Sequence, residues 1–138
     1  MYDRILVAVD HSPASDHALR AARDLAQLSG GEVWVLHLRE REVIARMGQV
    51  PSETPEEAGV TVDDAVKQLT DAGLRAHGEV RNTLFGYAAK EIVADAQLHD
   101  VGVIVMGSRG RSDLAGLVLG STAHKVIHLA DRPVLVVR

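Results

Sequence analysis

Apolar residues recur along this chain in two alternating rhythms. Ile5-Leu6-Val7-Ala8-Val9 is a continuous run of strand length, the form taken by a parallel strand buried on both faces. Ser12-Pro13 then offers an N-cap and a first helical residue. Ala18, Leu19, Ala22, Leu25 and Ala26 follow at helical spacing, and Ser29-Gly30-Gly31 stops that helix. Val33-Trp34-Val35-Leu36-His37-Leu38 predicts a second buried strand. Residues 39–60 break the rhythm with Arg39-Glu40-Arg41-Glu42, Pro51 and Pro55. The expectation there is a long loop, with at most a helical turn near Val43-Ile44, and long loops in compact domains are often functional. From about residue 55 to 72, Val62, Ala65, Val66 and Leu69 form the stripe of a helix that Gly73 ends. Residues 75–81 alternate polar with small or apolar side chains, as a half-exposed edge strand does. A helix over 84–98, a strand over 101–106, a glycine-rich connection over 107–119, a helix over 121–130 and a strand after Pro133 complete the chain.

Such alternation predicts one domain over residues 1–138. It is an α/β fold with a doubly wound, open, five-stranded parallel sheet and helices on both faces. Ligands of such sheets bind beyond the carboxyl ends of the strands. Asp10-His11-Ser12 and the glycine-rich connection are the segments expected at that crevice.

Composition narrows the class. With 0 Cys, a disulfide framework, a thiolate metal site and a cysteine nucleophile are excluded. Hydrophobic residues make up 46% and aromatic residues 3%, so the core is aliphatic and base-stacking platforms are lacking. A net charge of −4 argues against a general nucleic-acid surface. No run approaches the roughly 20 apolar residues of a membrane helix, and the first residues enter a strand pattern without a signal-peptide core. The expectation is a soluble, cytoplasmic protein.

The chemistry concentrates in Gly107-Ser108-Arg109-Gly110, followed after nine residues by Gly120-Ser121-Thr122. Gly107 ends a buried strand, where a glycine can take positive φ and bring backbone N–H groups close to a ligand. Gly120-Ser121 opens the last helix, whose free N–H groups carry partial positive charge. Together they form a cradle suited to phosphate, with Arg109 and Arg111 adding charge.

This spacing resembles the nucleotide-binding signature of the universal stress protein family, Gly-x2-Gly-x9-Gly-(Ser/Thr). Ile5-Leu6-Val7-Ala8-Val9-Asp10, Leu36-His37-Leu38 and Arg132-Pro133-Val134-Leu135-Val136-Val137 resemble the family's first, second and last strands. The resemblance implies a Rossmann-like sheet of order 3-2-1-4-5 and an ATP site. In that site Asp10, with Ala8 and Val9 beside it, lies by the ribose and adenine end, and Leu38 meets adenine through its backbone. Met106, Gly107, Ser108, Arg109 and Gly110 wrap the ribose and phosphates. Gly120 and Ser121, with Thr122 and Ala123, bind phosphate. Magnesium brought by the phosphates could be held by Asp10 through water. The implied role is a stress-response regulator that acts through nucleotide-dependent conformation and binding of regulatory partners. It is not an enzyme beyond slow ATP hydrolysis or self-phosphorylation at Ser121 or Ser108. The last strand, apolar on both faces, would lie at a sheet edge. A homodimer through Val134, Leu135, Val136 and Val137 is therefore expected.

Two other readings stay open: a dimeric partner-binding module with a vestigial site, and a binder of another adenine nucleotide such as cyclic AMP. The family commonly has Glu where this chain has His124. With Ser121 as N-cap, that Glu would close a capping box, whereas His124 reads as solvent-facing. His124 and His128 are four apart on one helix, but no Glu lies between them and no dedicated metal site is read there. His37 reads as a hydrogen-bonded core residue, and His11, His17, His77 and His99 as surface or loop positions. The chain lacks a Gly-x4-Gly-Lys-(Ser/Thr) loop, so it is not a P-loop ATPase.

Overall fold

The alternating rhythms become alternating strands and helices. The structure, a computed structural model, describes residues 1–44, 48–51, 53–109 and 119–138. Its elements are β1 (Arg4–Ala8), α1 (Pro13–Ser29), β2 (Glu32–Ile44), β3 (Gly48–Pro51), α2 (Pro55–Asp71), β4 (Ala76–Leu84), α3 (Ala88–Leu98), β5 (Val103–Gly107), α4 (Ser121–Leu129) and β6 (Val134–Val137). Five strands run parallel in the order β4-β2-β1-β5-β6. With the short β3 set aside, this is the expected order 3-2-1-4-5. No described helix is long and apolar enough to cross a membrane.

Strand pleating divides the aliphatic side chains between two cores. Ile5, Val7, Val33, Val35, Val103 and Val105 pack with α1 and α2 on one face of the sheet. Leu6, Leu36, Ile104 and Met106 pack with α3 and α4 on the other. Each buried aliphatic side chain stabilises the fold by about 1.5–3 kcal/mol, which is why the central runs are apolar on both faces.

Local chemistry places the helix ends. The Ser12 hydroxyl accepts the Ser15 N–H at 3.1 Å, and Pro13 occupies the first turn of α1. Gly30 ends α1 in the left-handed region at φ 71°, its N–H bonded to the Ala26 carbonyl. Thr54 caps α2: its hydroxyl accepts the Glu57 N–H at 3.1 Å and lies 3.1 Å from the Glu57 carboxylate.

Residues 39–60 are the main departure from the expected pattern. In place of a loop, β2 continues to Ile44, and Arg41–Ile44 pairs antiparallel with Gly48–Pro51. No helical turn forms at Val43-Ile44. The charged start of this segment does not oppose a strand, because Arg39 finds partners distant in sequence. Arg39 is buried, and its guanidinium donates to the Glu53 carbonyl at 2.9 Å and to Asn82 Oδ1 at 3.1 Å. The third helix also starts later than residue 84. Leu84 completes β4, and a turn with Gly86 at φ 92° and a Tyr87 N–H bond to the Leu84 carbonyl intervenes.

Candidate functional site

β1 and β5 are neighbours in the sheet, but the chain leaves them toward opposite edges. The crevice of a doubly wound sheet opens at that reversal. A cavity of about 350 Å³ lies there, within the roughly 300–1,000 Å³ range of small-molecule sites. Ala8, Val9 and Asp10 line it from the end of β1, and Leu38 from β2. Met106, Gly107, Ser108 and Arg109 line it from the end of β5, and Thr122 and Ala123 from the first turn of α4.

The remaining predicted residues stand differently. Gly120 is buried and does not line the cavity, and its N–H donates to the Ser108 carbonyl at 2.6 Å. Ser121 is exposed at the start of α4. Gly110 and Arg111 lie outside the described residues. Gly120, not Ser121, is the N-cap of α4. Position 124 therefore falls beyond the place where a Glu could close a capping box, and His124 is exposed as expected. The His124 N–H bonds the Gly120 carbonyl, which leaves the amides of Ser121, Thr122 and Ala123 without a carbonyl in their own helix. Gly107 corrects a further expectation. Positive φ occurs at Gly30, Gly73 and Gly86 among the described glycines, and not at Gly107. Its small size instead lets the end of β5 pass close to Ala14.

Asp10 is fixed at the cavity wall by two 2.7 Å bonds. Its Oδ1 accepts the Ser12 N–H, and its own N–H donates to Ser15 Oγ. The lining also holds Ser12, Ser15, Leu36, Glu40, Phe85, Ala88 and Ile92, which the sequence did not assign to the site. Apolar side chains from both sheet and helix thus meet carboxylates, one arginine and a helix N-terminus in one slot.

His37 and Glu53 complete the wall. His37 is buried, as expected, and its Nδ1 bonds the Val9 carbonyl at 2.7 Å. Its Nε2 meets Glu53 Oε1. His11 is an exposed loop residue, as expected, and its Nε2 lies 3.2 Å from the other oxygen of Glu53. Burial opposes the charge on Glu53, but hydrogen bonds with His37 and His11 outweigh it and hold its pKa below the ordinary value of 4.5. Glu53 was not legible as a site residue. The only local signal is its place directly before the Thr54-Pro55 helix start, which fixes where its backbone must return.

Relatives of known structure share this architecture. The Universal stress protein family profile matches residues 1–138. The universal stress protein YxiE of Bacillus subtilis is 32% identical over 151 residues, covering 100% of each chain. The structure of MJ0577 of Methanocaldococcus jannaschii superposes with a TM-score of 0.82 at 28% identity, covering 99% of this chain and 96% of that one. The universal stress protein from Archaeoglobus fulgidus in complex with dAMP superposes with a TM-score of 0.74 at 28% identity, covering 99% and 98%. By profile, by identity over the full length and by fold, the chain belongs to the universal stress protein family.

Proposed function

We propose that the cavity at the ends of β1, β2 and β5 binds an adenine nucleotide, with ATP as the ligand, and that the protein is a stress-response regulator. Binding would change its conformation and its choice of protein partner, with no fast chemistry required. One observation carries the reading: an apolar slot, the Gly107–Arg109 turn and the open end of α4 converge on one cavity. The slot formed by Leu36, Leu38, Ile92 and Met106 suits a flat base. The amides of Ser121, Thr122 and Ala123 and the Arg109 side chain suit phosphate. The A. fulgidus relative bound to dAMP supports the same ligand class. Asp10 in the lining would repel a bare polyphosphate. That fits nucleotide arriving with magnesium, whose waters Asp10 would accept from. We further propose a homodimer through β6, which pairs with β5 alone among the described strands.

The test is calorimetric titration with Mg-ATP, dAMP and cyclic AMP, with circular dichroism to verify folding. Wild type should bind Mg-ATP more tightly than either monophosphate. Gly120→Val should abolish binding, because it adds bulk at a buried position behind the α4 amides. Gly110→Asp, chosen from the motif alone, adds a negative charge that a polyphosphate would oppose and should do the same. Arg109→Ala should weaken binding less, since an exposed arginine is screened by salt. Unchanged ATP affinity in folded Gly120→Val and Gly110→Asp would overturn the site. A preference for cyclic AMP would overturn the choice of ligand and leave the cavity assignment intact.

A further inference from the structure

Three side chains of metal-ligand type converge where the end of β1, the middle of β2 and the start of α2 meet. Ligand atoms of His11, His37 and Glu53 all lie within 4.8 Å of one another. They are widely spaced in sequence, so only the sheet and the return of the chain through β3 bring them together. We propose that His11, His37 and Glu53 form a binding site for a divalent transition-metal cation of the zinc class.

The hydrogen positions lead to this reading. The Val9 carbonyl can only accept, so the His37 Nδ1 that bonds it carries the hydrogen. In the neutral ring Nε2 is then a bare lone pair, and it faces a carboxylate oxygen of Glu53. Two acceptors cannot satisfy each other, so a positive species belongs between them. A backbone carbonyl on the far nitrogen is also the usual support of a metal-bound histidine. The backbone that carries this carboxylate is held as well, since Arg39 donates to the Glu53 main-chain carbonyl at 2.9 Å.

Chemistry and access select the cation. Two imidazoles and one carboxylate supply three protein ligands and leave a fourth position for water or another donor. Magnesium and calcium prefer oxygen donors, whereas imidazole suits zinc and its neighbours. The His37 and Glu53 side chains are 4% and 3% exposed, while that of His11 is 42% exposed. Two ligands are thus prebuilt, and the third can turn in from solvent. The His11 and His37 rings stand 5.8 Å apart and 68° to one another, so both can aim at one point without stacking. A second cavity of about 610 Å³ beside His11 is lined by Asp10, Asp16, Glu56, Glu57 and Asp64. Its negative field would concentrate cations at the entrance.

The test uses tag-free protein stripped with a chelator, titrated with zinc(II) against a chromophoric competitor. Cobalt(II) serves as a spectroscopic probe. Nucleotide is left out, so the result is independent of the ATP reading. One zinc should bind per chain, and an excess of magnesium should not displace it. Cobalt should show the intense visible bands of a four-coordinate site. His11→Ala, at an exposed position, should weaken zinc binding by about tenfold or more and remove the cobalt bands. Glu53→Gln should also weaken binding. His128→Ala breaks the exposed His124/His128 pair on α4 and should change nothing. Absence of stoichiometric zinc in wild type would overturn the proposal and leave a proton as the species between His37 and Glu53. Equal affinity in folded His11→Ala, or loss of the bound zinc in His128→Ala, would overturn it as well.

Discussion

A Cβ on Gly107 would sit 2.8 Å from the Cβ of Ala14 and 2.9 Å from its carbonyl carbon. The neighbour includes backbone, so it cannot turn aside as a flexible side chain could. Gly107→Ala should therefore destabilise the fold by about 1–3 kcal/mol through overpacking, read as a lower urea midpoint with an unchanged slope. An unaltered midpoint would mean that β5 and α1 separate freely. Glu53 makes a second residue-scale prediction. Its folded pKa lies below 4.5, so its ionised form is favoured by folding. A lowered acid pKa contributes stability above the unfolded value, and that contribution is lost as pH falls through the folded value. In metal-free buffer, the advantage of wild type over Glu53→Gln should be complete above pH 4.5 and shrink below it. Urea midpoints across that window measure it, and an advantage that grows on acidification would contradict the assignment.

At the scale of elements, the β2–β3 ribbon and the start of α2 act as one unit. The ribbon returns the chain toward the sheet, Arg39 pins the Glu53 backbone, and the Thr54 cap starts α2 at once. Thr54→Ala removes a side-chain acceptor from the first turn of α2 and should cost about 1 kcal/mol. Chemical denaturation followed by circular dichroism tests this. Thr54→Ser keeps the hydroxyl and should recover most of the loss, so a serine variant as unstable as the alanine one would assign the effect to the lost methyl group. Helix α2 also packs closely on β4, where a Cβ on Gly78 would meet Val62 Cγ1 and Val66 Cγ2. The ribbon, the cap and this contact together hold one wall of the Glu53 cluster.

For the whole molecule, the two-sided sheet makes the cavity and leaves an edge. The α1 and α2 layer and the α3 and α4 layer cover opposite faces, so ligand access is left at the strand ends. β6 lies at one side of the parallel sheet, with Leu135 41% exposed. An apolar edge with unpaired backbone groups is suited to pairing with a second copy. Wild type should elute with twice the chain mass in light-scattering chromatography at micromolar concentration. Leu135→Lys should yield a folded monomer, because the side chain is already partly in solvent. A wild-type monomer under those conditions would contradict the proposed dimer.

What local order can express, the sequence expresses well. Runs of apolar residues specified the parallel strands, 3.6-residue stripes specified the helices, and Ser12-Pro13 and Gly30 marked the ends of α1. Period and capping act over a few neighbours and survive in any tertiary setting. The Gly107 to Gly120 spacing likewise pointed to the crevice, because a strand end and a helix start are local events. Tertiary structure decided the rest. Arg39 reads as part of a loop until Asn82 and Glu53 supply partners distant in sequence. His77 is exposed and His99 caps the end of α3, as surface and loop positions do, but only the fold lays both rings against Trp34, at 4.9 and 5.0 Å. His11, His37 and Glu53 meet only because β2 runs beside β1 in one register and β3 folds back over its end. Such convergence depends on strand pairing between distant segments, which no periodicity within a segment records.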